Sequence, residues 1–200
     1  MFSTKERLKK RTGKNSVDRP AYLRLLVDEY KTSKSLEAKQ QVLANLANFA
    51  YDPINYGWLR KLNVIRLFLE ELSSSDEKTV EFAIGGLCNL CLDFENKEII
   101  LETLGSLSAI KSCLTSSNPE IITSSITLLI YLITPKSKAA IKSEDTLELM
   151  VAFSRNPNKR FSNLAHVFLA DYCDPSEVTA AQNRVDSLTR QNEVASIPLP

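Results

Sequence analysis

A unit of about 41 residues recurs along this chain, and it restricts the fold more than any other feature. LANLANFAYD (43–52) laid over IGGLCNLCLD (84–93) matches Leu46 with Leu87, Asn48 with Asn89, Phe49 with Leu90 and Asp52 with Asp93, an offset of 41. A further step of 42 brings ITLLIYLITP (126–135) into register, with Leu129 and Leu132 in the same places and Tyr131 at the asparagine position. Another 40 residues bring Leu169, Asp171 and Tyr172. Within each stretch the apolar residues recur at three and four, as in Val80, Ala83, Ile84, Leu87, Leu90 and Cys91, which is one side of a helix. Only five glycines occur in 200 residues, which together with these runs argues for an all-helical chain.

The remainder of the unit repeats as well. VIRLFLEEL, SLSAIKSCL and TLELMVAF are second apolar runs, with Asn63, Gly105 and Asp145 at matching points before them. Asn, Gly and Asp tolerate the left-handed conformation that a sharp helix-to-helix turn needs. Each run ends in a polar break, SSSDEK, TSSNPE or SRNPNK. Asn118-Pro119 and Asn156-Pro157 offer an N-cap followed by a proline at the first helical position, and mark the expected starts of long third helices. A short helix, a tight turn, a second helix, a capped break and a long helix, repeated every 40–42 residues, predict an all-α, right-handed helical solenoid of about four repeats over residues 20–175. Residues 1–19 read as a basic tail without fixed structure, 176–191 as a polar capping helix and 192–200 as an extended tail ending in SIPLP.

The string VEFAIGGLCNL (80–90) resembles the third helix of the armadillo family, and the resemblance covers residues 20–175. It implies a groove lined by the third helices, one residue per unit at a common phase. In that family an asparagine at the position of Asn48 and Asn89 holds the backbone of an extended bound peptide; here the position continues as Tyr131 and Asp171. The other reading of these asparagines, a bond to a carbonyl of the neighbouring helix, stays open. One turn earlier, armadillo carriers of nuclear-import peptides place tryptophans. This chain has Ala44, Gly85, Thr127 and Val167, a departure that argues against import cargo and leaves an open floor. These eight residues are the candidate partner-binding groove. At finer grain, QVLANLANFAYDPINYGWLRKLNVIRLFLEEL (41–72), the third-helix string and the terminal IPLP resemble one small armadillo subfamily. That subfamily is associated with the minor spliceosome, where it pairs with RNA-binding motif protein 48 beside the 5′ end of a small nuclear RNA. The resemblance implies a nuclear scaffold acting in pre-mRNA splicing.

Catalysis finds no support in the residues. Cys88 and Cys91 form a CxxC without the second close pair that zinc requires and without the βαβ context of a redox motif; Cys91 falls on the apolar stripe and reads as a small buried hydrophobe. His166 is the single histidine, and no glycine-rich phosphate loop occurs. We therefore expect no metal, no cofactor, no small-molecule substrate and no enzymatic activity. Residues 1–20 carry a net charge of +5 and the rest −4, so a global field for nucleic acid is missing, while Lys9, Lys10, Arg11 and Lys14 are candidate contacts to phosphate or to an acidic partner. An RNA-contacting subunit using this tail within a complex, and a generic armadillo peptide adaptor, are the alternative readings. No stretch approaches the roughly 18 apolar residues of a membrane span, and no signal peptide is evident, so a reducing cytosolic or nuclear setting with free thiols is expected. Tyr56 and Trp58 read as core aromatics of a short helix.

Overall fold

A computed structural model describes residues 2–11 and 17–195, with the side chains of Lys5, Lys9, Arg11 and residues 191–195 left out. Thirteen α-helices occur among the described residues, and no strand. They run α1 Lys5–Arg11, α2 Arg19–Thr32, α3 Leu36–Ala50, α4 Tyr56–Lys61, α5 Val64–Glu71, α6 Glu77–Leu90, α7 Phe94–Glu102, α8 Ser106–Ser112, α9 Pro119–Leu132, α10 Lys138–Ile141, α11 Glu144–Ser154, α12 Lys159–Tyr172 and α13 Pro175–Ala195. The chain divides into two compact units, residues 1–132 and 133–200.

In the first unit the third helices α3, α6 and α9 stack, with α6 packed against both others. Their apolar stripes make the core: Leu43, Leu46, Ala83, Ile84, Leu87, Leu90, Ile126 and Leu129 are fully buried. Transfer of such side chains from water contributes roughly 1.5–3 kcal/mol each, and that burial, rather than helix propensity, holds helices of this length. Two turns take the strained conformation that the sequence calls for. Asn63 sits at φ 58° between α4 and α5, and Gly105 at φ 80° before α8.

The caps of the third helices follow the repeat. Ser35, Asp76 and Asn118 accept the hydrogen bonds of Ala38, Thr79 and Glu120 N–H, satisfying donors that a helix start leaves orphaned.

The second unit contains α10, α11, α12 and α13. Its third helix starts at Lys159, with Asn158 as the cap accepting from Arg160 N–H, so the expected start at Asn156-Pro157 lies two residues too early. Asn156 instead accepts from the N–H of Asn158 and shapes the loop. Asp145 is likewise no turn residue. It lies in the first turn of α11, because the short α10 ends at Ile141 and the chain turns at Lys142 and Ser143. The capping helix α13 packs on α11 and extends to Ala195, past the expected end at 191, so residues 192–195 are helical rather than extended. SIPLP from Ser196 onward lies outside the described residues.

The amino-terminal segment departs from an unstructured tail in its described part. Lys5–Arg11 is helical, and Leu8, the apolar residue in the charge run, is buried at 8% exposure. Ser3 N–H donates to Asp52 Oδ2 at 3.0 Å and the Phe2 ring stands 5.6 Å from that of Tyr51. Lys10 is exposed, the side chains of Lys9 and Arg11 are not described, and Lys14 lies outside the described residues.

Candidate protein-interaction face

Six of the eight groove candidates come together in the first unit. Ala44 and Asn48 are on α3, Gly85 and Asn89 on α6, Thr127 and Tyr131 on α9. Asn48 is exposed, Tyr131 is 42% exposed, and Ala44, Gly85 and Thr127 are half-buried. Val167 and Asp171 hold the same phase on α12 and are both exposed, but they belong to the second unit and are described with it.

The two glycines of α6 serve opposite ends. A Cβ on Gly86 would collide with the Phe68 ring, so Gly86 is the seat of a fully buried ring from α5. A Cβ on Gly85 would meet nothing within 4 Å. The face beside Ala44 and Thr127 is therefore open at this point, and each helical glycine costs roughly 1 kcal/mol of propensity relative to alanine.

The two asparagines differ. Asn89 donates its amide N–H to the carbonyl of Ala47 at 3.1 Å, tying α6 to α3, and its own carbonyl accepts from Tyr56 Oη at 2.9 Å. For Asn89 the neighbouring-helix reading is thus realised, leaving one amide N–H and the side-chain oxygen for a partner. The Asn48 side chain makes no hydrogen bond among the described residues and keeps its full capacity. Thr127 bonds back to the carbonyl of Thr123 at 2.8 Å. Further ties between third helices lie on either side: Gln40 to Asp76 at 2.7 Å, Asn118 to Glu81 at 3.0 Å, and Cys88 Sγ to the carbonyl of Ser124 at 3.0 Å.

The cysteines are free thiols with packing roles. Burial pushes the Cys88 thiol far up and that of Cys91 up to about 12; burial also raises Cys113 and Cys173. All four are protonated at neutral pH, and a thiol rather than a thiolate is neither nucleophile nor metal ligand. Among the described residues no three His, Cys, Asp or Glu side chains gather as a metal site, and His166 is exposed. No described helix is long and apolar enough to cross a membrane.

Sequence reasoning missed a pair of brackets. Asn55 and Asn96 are fully buried, and each donates its amide to a carbonyl six residues back, Phe49 at 2.8 Å and Leu90 at 3.0 Å. Each side-chain oxygen accepts from an arginine: Arg19 at 3.5 Å on Asn55, Arg60 at 2.6 Å on Asn96. Arg19 also lies 4.6 Å over the Phe49 ring, and Arg60 pairs with Asp93 at 2.7 Å and Glu95 at 2.6 Å. The signal was present as Asp-x-x-Asn at 52–55 and 93–96 with an arginine at 19 and 60, all at offset 41. Tyr56 is buried as expected, whereas Trp58 is only half-buried.

Stacked units of this kind, with long third helices side by side and a left-handed residue at the helix turn, define an armadillo-repeat protein. The fold is shared with a designed armadillo repeat protein (TM-score 0.70, 15% identity, covering 80% of this chain and 70% of that one). It is shared also with a designed armadillo repeat protein in complex with the peptide (KR)4 (TM-score 0.69, 15% identity, covering 88% of this chain and 75% of that one). No family model matches the chain. Mouse armadillo repeat-containing protein 7 is 45% identical over 186 residues, which cover 92% of this chain and 91% of the mouse protein. The chain belongs to the armadillo repeat-containing protein 7 family.

Proposed function

We propose that this protein is a non-enzymatic scaffold that receives a partner protein on the exposed face of its third helices, centred on Asn48, Gly85 and Tyr131. The observation that carries the reading is the open space over Gly85, between Ala44 and Thr127 on the flanking helices. A glycine that costs helix stability and seats no neighbour is explained by a partner's approach. Asn48 supplies free amide groups beside it, and a designed armadillo repeat protein of the same fold in complex with the peptide (KR)4 supports the reading. Val167 and Asp171, at the same repeat position in the second unit, are proposed as partner contacts of that unit.

By family resemblance the partner is RNA-binding motif protein 48, and the setting is the minor spliceosome in the nucleus. The basic amino-terminal segment, including Lys9, Lys10, Arg11 and Lys14, contacts phosphate or an acidic surface within that complex; a generic peptide adaptor is the second reading. Gly85→Trp fills the open space without touching the bonds of Asn89. Titrated with purified RNA-binding motif protein 48 in calorimetry, it should bind about tenfold more weakly or worse, with unchanged helicity. Wild-type affinity in the folded variant would remove this face as the site.

A further inference from the structure

The first unit builds the same ledge twice. Tyr51-Asp52 follows α3 and Leu92-Asp93 follows α6, at an offset of 41. Each aspartate caps the next turn through Oδ1, accepting from Ile54 N–H at 3.4 Å and from Asn96 N–H at 3.1 Å. Each is preceded by a large apolar residue left in solvent, Tyr51 at 64% exposure and Leu92 at 60%.

The first ledge is occupied. The non-helical segment Phe2–Thr4 lies on it, with its aromatic ring on Tyr51 and the next backbone N–H on Asp52 Oδ2. The second ledge is not occupied by any described residue. Arg60 and the cap bond both use Asp93 Oδ1, and Oδ2 takes no hydrogen bond among the described residues. Phe94, 74% exposed, adds a second bare apolar side chain beside it.

We propose that the Leu92-Asp93-Phe94 ledge docks an extended segment of a partner protein, consisting of an aromatic residue followed by a residue with a free backbone N–H. The first ledge supplies the template for this chemistry. The chain's own carboxyl terminus does not satisfy it, because Ile197 and Leu199 are each followed by a proline, which has no N–H. The ledge lies roughly 10 Å along the helix from Gly85, so it extends the scaffold reading without depending on it.

The test uses the full chain, isotopically labelled, and an acetylated Gly-Phe-Ser-Thr-Gly amide as probe. One ring contact and one hydrogen bond give a dissociation constant of the order of 1 mM. Saturable amide shifts at residues 91–95 are expected. Replacing the peptide's serine by proline should weaken them about fivefold, and so should Leu92→Ser with Phe94→Ser, whose exposed sites leave the melting curve unchanged. Shifts confined to residues 51–54, equal binding of the proline peptide, or an unaffected double variant would each overturn the proposal. Self-association of the wild type that disappears in the double variant would make a second copy the occupant and overturn the assignment to a partner.

Discussion

The α3–α6 contact in the first unit and the α11–α13 contact in the second hold helices side by side by different means. Between α3 and α6 the joint is mainly fully buried hydrocarbon, with two amide hydrogen bonds, Asn89 to Ala47 and Gln40 to Asp76. On α13 the fully buried apolar residue among those described is Ala181, with Val178 and Val185 half-buried on the same face, and ion pairs supplement this small apolar contact. Lys142, whose side chain is only 6% exposed, pairs with Glu177; Arg184 pairs with Glu148 at 2.6 Å and reaches Glu144 at 3.9 Å; Arg155 pairs with Asp186. The α6 helix buries apolar surface against both α3 and α9, whereas α13 packs on α11 and leaves a polar face exposed. The lesson is that the stacked joint responds to volume and the cap responds to salt and pH.

The largest effect should come from deleting volume in the stacked joint. Leu87→Ala in α6 is expected to cost about 2–5 kcal/mol in urea unfolding followed by circular dichroism. A cost below 1 kcal/mol would erase the contrast.

A pair of glycine substitutions sharpens it. Gly86→Ala should destabilise by roughly 1–3 kcal/mol, since the new methyl meets the buried Phe68 ring. Gly85→Ala should stabilise by up to about 1 kcal/mol, since it gains helix propensity in open space. Opposite signs in thermal melts, one residue apart, are the expected outcome.

The smallest effects concern the cap. The hydrogen bond from Lys142 holds the Glu177 carboxyl below its ordinary 4.5. A depressed carboxyl adds stability above that ordinary value and loses it as pH falls through the folded value. Once divided by the intrinsic rate, which itself falls with pH, hydrogen exchange over residues 176–190 should therefore quicken below pH 4.5. It should also quicken in 1 M salt by about two- to fivefold, with residues 80–90 unchanged. Uniform protection in both segments would show that charge does not hold the cap.

The stacking was legible because its signals are periodic and local. Asn63 and Gly105 could be read from offset and residue type together, and the buried stripes from spacing alone. The boundaries that differ from expectation lie where residue type and register disagree. The cap positions Ser35, Asp76 and Asn118 step by 41 and 42, and a further 40 reaches Asn158, whereas the Asn-Pro pair that resembles a helix start stands two residues earlier, at Asn156. Asp145 shows the reverse: the register held there, but the short α10 displaced the turn. Asn89 was recognisable as a polar group on an apolar helix, but sequence cannot tell which carbonyl an amide finds. The Asn55 and Asn96 brackets lay hidden because each joins residues in dissimilar strings, and Phe2 and Leu8 were obscured by the charge around them.

The brackets also bear on how quickly the chain can find its fold. Arg19 and Asn55 are 36 residues apart, as are Arg60 and Asn96, Gln40 and Asp76, Cys88 and Ser124, and Glu148 and Arg184. Each closes a loop of about one repeat, so the entropy of closure does not grow along the chain. Any repeat of the first unit can serve as the nucleus, its neighbours adding to it one at a time.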